Sequence, residues 1–286
     1  MEKVKPFKVF ILVNTLHSVT ASVYANHLHM IGWSAKHIPG LEFEFWAPPR
    51  MSIDNARNTA AQYALERECD YLFFLDDDVQ VPPFALKALL EADKDVVAGL
   101  IMIRGYPFNV MAFKFENKKV NGENKRNLGY FNNLAQERLV KNDWIAEADL
   151  AKKRPKLTKR QWSKLPMRLV PLQACDAVGF SCCLIKVDVL KPLETPYFLT
   201  GKYHTEDVYF CMKITENLRP KPSIYLHTGV QGGHMLNPEP IEYGSKPLMK
   251  AFYGMMYGKE ETPFSRNEDY IEQCLAEIAA KGIGVQ

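Results

Sequence analysis

The sequence contains no uncharged apolar run approaching the roughly 18 residues that a membrane-spanning helix requires. It has only six cysteines and no CxxC pair, which excludes a dense disulfide framework and argues against structural zinc. It also has little net charge, +3 over 286 residues, so the whole-chain total implies neither a nucleic-acid nor a membrane partner. Its only candidate targeting segment is Met1–Val13, where the apolar run Val9–Val13 is about half the length of a signal-peptide core. What is present is ordinary globular composition, 47% apolar and 24% charged, which rules out a disordered or collagenous chain. A soluble, cytoplasmic protein is expected, built as one large domain with an insertion.

The apolar pattern alternates strand and helix. Lys8–Asn14 (KVFILVN) predicts a buried strand, Val19–Ile31 a helix, and Glu42–Trp46 a second strand closed by Pro48-Pro49. Asp54 is placed as N-cap of a helix over Asn55–Glu68 with an alanine-rich face. Tyr71–Leu75 is a fully apolar strand, Pro82-Pro83 open a helix over Phe84–Ala92, and Val96–Ile103 is another strand. After an irregular stretch, strands are expected at Leu172–Val178, Ser181–Val187 and Ser223–His227, with helices at Glu206–Leu218 and Asp269–Lys281. This order predicts an α/β fold with a mainly parallel sheet, whose ligands bind beyond the carboxyl ends of the strands.

At that edge Tyr71–Leu75 runs directly into Asp76-Asp77-Asp78. Three adjacent carboxylates repel one another and call for a cation. Alternation along an extended chain would set Asp76 and Asp78 on one side and Asp77 on the other. Oxygen ligands of this kind suit Mg²⁺ or Mn²⁺ completed by substrate phosphates.

An apolar strand ending in Asp-x-Asp resembles the GT-A glycosyltransferases, particularly the family 2-like enzymes, including small phage transferases. Four further segments resemble that family in its own order: Asp54-Asn55-Ala56-Arg57-Asn58, Asp176-Ala177-Val178-Gly179-Phe180-Ser181, Thr205-Glu206-Asp207, and Gly232-Gly233-His234. The resemblance implies a Rossmann-like GT-A sheet and a transferase moving a hexosyl or pentosyl group from a nucleotide diphosphate sugar, UDP-sugar favoured. It assigns nucleotide-sugar contacts to Arg57, Asn58, Asp76, Asp77 and Gly179, and a metal, Mn²⁺ or Mg²⁺, to Asp78, Asp76 and His234. Asp207 becomes the general base, Glu206 orients the base or the acceptor, and single displacement with inversion follows. Adjacent Cys182 and Cys183 lack a paired His or Asn motif and are not read as nucleophiles.

The small net charge is a cancellation. Residues 114–170 carry 15 Lys and Arg against 6 Asp and Glu, a net of +9, and the remainder carries −6. The densest part, Lys152–Lys164, interleaves cations with Trp162, which suits a polyanion with stacking faces. An anionic acceptor follows: DNA carrying a hydroxymethylated base before a membrane lipid phosphate. The organisation expected is a nucleotide-sugar half at 1–113, a basic insertion at 114–170, an acceptor half at 171–238 and a helical extension at 239–286. Two rivals stand beside the transferase: a non-catalytic nucleotide-sugar binder and a haloacid dehalogenase-type phosphohydrolase. The second wants Thr or Val where Gln80 stands.

Overall fold

A computed structural model describes residues 5–15, 18–120, 123–140, 143–149, 164–202, 204–236 and 239–241. Its centre is a seven-stranded sheet made from β1 (Phe7–Asn14), β2 (Leu41–Trp46), β3 (Tyr71–Asp76), β5 (Val96–Leu100), β11 (Leu172–Ala174), β13 (Cys182–Lys186) and β14 (Ile224–Gln231). The strand order is β11-β14-β5-β13-β3-β1-β2. β13 runs antiparallel to both its neighbours and β11 antiparallel to β14, while the other five strands are parallel. A mixed, mainly parallel α/β sheet is thus the fold, as the alternating pattern requires.

The inner strands β1, β3, β5 and β13 are buried on both faces, which is why they read as continuous apolar runs, whereas the edge strand β2 alternates and stays partly exposed. Side-chain alternation divides each run between two cores. Phe10, Leu12, Leu72 and Phe74 enter one, beneath α2 (Ile53–Glu66) and α4 (Glu206–Asn217). Val9, Ile11, Val13, Phe73 and Leu75 enter the other, beneath α1 (Ala21–His37) and α3 (Ala85–Glu91). Ala56, Ala60, Ala61 and Ala64 are fully buried and let α2 approach the sheet closely.

Several boundaries differ from expectation. Helix α1 continues to His37, and α2 begins at Ile53 with Ser52 as N-cap, so Asp54 lies inside the first turn. The β3 strand ends at Asp76, where the chain turns through Asp77 and Asp78 before β4 (Val79–Gln80). The alternation expected across the three carboxylates therefore does not apply.

The segment expected to lack regular structure contains strands. The hairpin β6 (Ala112–Val120) and β7 (Glu123–Tyr130) crosses the boundary placed at 113, and β12 (Ala177–Val178) pairs antiparallel with β6. A second hairpin joins β8 (Gln136–Val140) to β9 (Asp143–Ala146), with β10 (Met167–Leu169) alongside. Phe113, Phe115 and Leu128 of the first hairpin pack on Val208, Tyr209 and Met212 of α4, so it walls the functional edge of the sheet. The basic core at 152–163 and the helix expected at Asp269–Lys281 lie outside the described residues, as does nearly all of 239–286.

Candidate functional site

The carboxyl ends of β3 and β5, the start of α4 and the strand following β14 meet at one edge. After His227 the register of β14 against β5 shifts, and the chain then leaves the sheet. It forms β15 (Gly233–Leu236), which pairs antiparallel with β4, setting His234 opposite Val79. Gly232 makes the crossing possible. A Cβ there would stand 2.4 Å from Ile101 and 2.7 Å from the Gln80 carbonyl, closer than atoms can pack. The Met235 N–H then donates to the Asp78 carbonyl at 2.8 Å.

This pairing brings together the carboxylate and the imidazole. His234 Nε2 lies 3.3 Å from Asp78 Oδ1, and Nδ1 lies 2.8 Å from the Met102 carbonyl. A carbonyl can only accept, so Nδ1 is assigned a proton, and Nε2 is the ring nitrogen turned to Asp78. Two acceptors at that separation require a proton or a metal ion between them. Burial opposes the charged form of Asp78, but the His234 hydrogen bond, the charge of His234 and Arg104 outweigh it and lower its pKa. Arg104 reaches the second oxygen, with Nη1 3.0 Å from Oδ2.

The turn carrying Asp78 is gripped from the opposite side by α1. Asn26 Nδ2 donates to the Val81 carbonyl at 2.9 Å and its Oδ1 accepts from the Val81 N–H at 2.8 Å. His27 Nε2 donates to the Val79 carbonyl at 2.8 Å. These contacts imitate a strand pairing and hold the turn by its backbone.

Asp76 has other partners. Its Oδ1 accepts from Arg57 Nη2 at 3.1 Å and its Oδ2 from the Ser181 hydroxyl at 2.6 Å. Arg57 also pairs with Glu206, and its guanidinium lies 5.2 Å and 5.4 Å from the ring centroids of Phe74 and Phe180. Only 1% of Arg57 is exposed. Burial disfavours its charge, yet Glu206, Asp76 and Asp207 more than compensate and raise its pKa. Burial pushes Glu206 up to about 7, against the opposing pull of Arg57.

Four of the residues expected at the site have partners within the protein. Arg57 is an internal cation that orients Asp76, without a free fork for phosphate. Asn58 donates to the carbonyls of Asp54 and Phe198 and accepts from the N–H groups of Tyr197 and Phe198, so it clamps a loop. Gly179 makes its close approach to Met111, whose side chain would stand 2.6 Å from an added Cβ. Glu206 spends one carboxylate oxygen on the buried Arg57 and the other on the Thr200 hydroxyl, so its contacts face the interior.

Asp207 is placed as the first turn of α4 dictates. Its Oδ1 accepts from the Thr205 hydroxyl and, at 2.7 Å, from the Val208 N–H. The helix dipole favours its negative charge. Tyr130 on β7 lies close enough that, after burial, the charge of Asp207 is the second cause raising the Tyr130 pKa. Asp77 sits half-buried at the turn.

Among the described residues no group of three or more His, Cys, Asp or Glu side chains is arranged to hold a metal. The fit rests on two ligands, Asp78 Oδ1 and His234 Nε2. That suits an ion that draws its remaining ligands from water and substrate phosphates. Asp76, engaged by Arg57 and Ser181, is not assembled with them.

A family model described as Anp1 matches residues 39–192, more than half of the chain and including the Asp76–Asp78 turn. The chain belongs to the Anp1 family. The Anp1 match ends before Glu206, Asp207 and His234, so those residues stand on geometry alone. A search of curated proteins finds no match. Among solved structures, A197 from STIV is 18% identical, covering 80% of this chain and 86% of its own, with a TM-score of 0.44. HddC from Yersinia pseudotuberculosis is 8% identical over 80% and 93%, with a TM-score of 0.32. Mannose-1-phosphate geranyltransferase from Thermus thermophilus is 9% identical over 81% and 76%, with a TM-score of 0.31.

Two contributors carry no motif, Arg104 and the Asn26–His27 grip, and Ser181 was not expected as a partner of Asp76. Ser181 closes one of the segments that resemble the family, without a role of its own; the others depend on contacts between distant elements. A cavity of about 960 Å³ opens at the opposite edge of the sheet, lined by residues including Phe7, Cys69, Asp70, Tyr71 and Lys186. It contains none of the expected site residues. No helix among the described residues is long and apolar enough to cross a membrane.

Proposed function

We propose that this chain is a glycosyltransferase that moves a sugar from a nucleotide diphosphate sugar to an acceptor hydroxyl, with Mn²⁺ or Mg²⁺. The observation that carries the reading is the meeting of Asp78 and His234 across the β4–β15 pairing, beside an Asp207-bearing helix start. Asp78 and His234 would hold the ion, whose charge, when bound, offsets that developing on the departing diphosphate. Asp76, oriented by Arg57 and Ser181, faces the nucleotide in this reading.

Asp207 takes the proton from the acceptor hydroxyl. The Thr205 and Val208 hydrogen bonds both fall on Oδ1, which fixes the carboxylate and leaves Oδ2 to receive that proton. A base opposite the leaving group gives single displacement and inversion. The Anp1 membership and the early Asp-x-Asp strand support the donor half of this reading. The finer likeness to family 2-like transferases stays part of the proposal.

The acceptor is proposed to be anionic, because residues 114–170 carry a net of +9. Duplex DNA is favoured over anionic lipid, and binding to each as salt is varied separates them. For the chemistry, Asp207→Asn is expected to lower transfer by about 10²–10⁴-fold while nucleoside diphosphate affinity stays within a few-fold. Turnover at the wild-type rate would remove Asp207 from the mechanism. Binding without consumption of any nucleotide sugar across a donor panel would favour the binding-module reading.

A further inference from the structure

Arg104 sits at the tip of a short turn whose base is built firmly. Met102 and Val110 form a bridge, the Ile103 N–H donates to the Asn109 carbonyl at 2.9 Å, and the Phe108 N–H to the Gly105 carbonyl at 2.7 Å. Phe108 is fully buried, in a left-handed conformation at φ 57°, and anchors the turn. The Val110 N–H donates to Asn132 Oδ1 at 3.1 Å. The tip is open: the Arg104 side chain is 55% exposed, and a Cβ on Gly105 would meet nothing within 4 Å.

One turn thus serves both members of the Asp78–His234 pair. Its base supplies the Met102 carbonyl that orients His234, and its tip supplies the guanidinium on Asp78. The two interactions use different oxygens of Asp78. Oδ1 faces His234 and Oδ2 faces Arg104, so a ligand group seated between Oδ1 and Nε2 need not displace Arg104 from its position. A phosphate drawn to a cation held between Oδ1 and Nε2 lies beside Arg104, whose fork has one described contact, through Nη1, and further N–H donors available. Exposed ion pairs of this kind are weak, whereas a guanidinium meets a phosphate through two parallel hydrogen bonds.

We propose that Arg104 is the phosphate-gripping residue of this site, turning from Asp78 onto the diphosphate of a nucleotide ligand. The assignment rests on the nucleotide-sugar reading above and adds to it a residue that contributes to no sequence motif. It makes Asp78 a resting place for Arg104 before the ligand arrives. It also predicts that the site discriminates by phosphate, independently of sugar or base.

The test is calorimetric titration of the full chain with UDP, GDP and uridine in the presence of Mn²⁺, and with Mn²⁺ alone. Wild type, Arg104→Ala and Arg104→Lys are compared, with thermal melts to show that each is folded. In Arg104→Ala the Kd for the bound nucleoside diphosphate is expected to rise about 10–100-fold, and its dependence on salt to weaken. Arg104→Lys recovers part of the loss, because a point charge replaces a fork. Affinities for Mn²⁺ alone and for uridine stay within twofold of wild type. Diphosphate binding by Arg104→Ala within twofold of wild type would overturn the assignment. So would a parallel loss of Mn²⁺ affinity, which would make Arg104 only a support for Asp78. If wild type binds neither UDP nor GDP, the nucleotide-sugar reading fails first and the assignment fails with it.

Discussion

Asp76 and Asp78 stand on either side of Asp77, at the end of one strand, in opposite surroundings. Asp76 is held by the nearly fully buried Arg57 and by Ser181, within a chain of contacts that continues to Glu206. Asp78 faces His234 and the exposed Arg104. A carboxylate compensated from inside the protein cannot be withdrawn without stranding a buried cation, and that cost is large. A carboxylate compensated by an exposed arginine can change partners at little cost. The same side chain thus serves architecture in one position and ligand chemistry in the next, according to which distant element reaches it.

Arg57→Met tests the closed half of this contrast and carries the largest expected effect on stability. It leaves Glu206 without its buried partner and should cost about 3–5 kcal/mol in urea unfolding. A loss under about 1 kcal/mol, the range of exposed pairs, would erase the distinction. Asp78→Asn tests the open half. Its unfolding free energy should stay within about 1 kcal/mol of wild type, while Mn²⁺-dependent binding of nucleoside diphosphate falls at least tenfold by calorimetry. Equal destabilisation of the two variants would show that both carboxylates are structural.

The smallest effect concerns pH. Glu206 has a folded-state pKa of about 7 against an ordinary 4.5. Between those values the unfolded chain has released this proton and the folded chain still holds it, so stability falls as pH rises through the window. The contribution is fully present below 4.5 and lost as pH passes about 7. Glu206→Gln should flatten that part of the stability–pH curve relative to wild type, whatever its effect on the level. An unchanged slope in chemical denaturation series would place the proton elsewhere in the Arg57 network.

The centre of the sheet was legible because β1, β3, β5 and β13 are buried on both faces and must be apolar almost throughout. VFILV and YLFFL leave no other reading at that length. The β6–β7 hairpin was hidden by its composition: polar residues dominate ENKRNLGY, and its partner surface, Tyr209 and Met212 on α4, lies far along the chain. At the site, types were easier to read than roles. Arg57 at a helix start looks like a phosphate contact until Glu206 arrives from the far side of the fold to claim it. Arg104 has no signal at all, since nothing local marks a turn residue whose partner is fixed by another strand.

The grip of Asn26 and His27 on the Asp78 turn has a consequence for portability. Those side chains hold the main-chain atoms of Val79 and Val81, so the shape of the turn is encoded in α1 and borrowed by residues 76–81. A graft of the acidic turn alone into another parallel sheet would carry the carboxylates and lose their aim. The transplantable unit is α1 together with the turn, two pieces of chain separated by an entire strand–helix–strand passage.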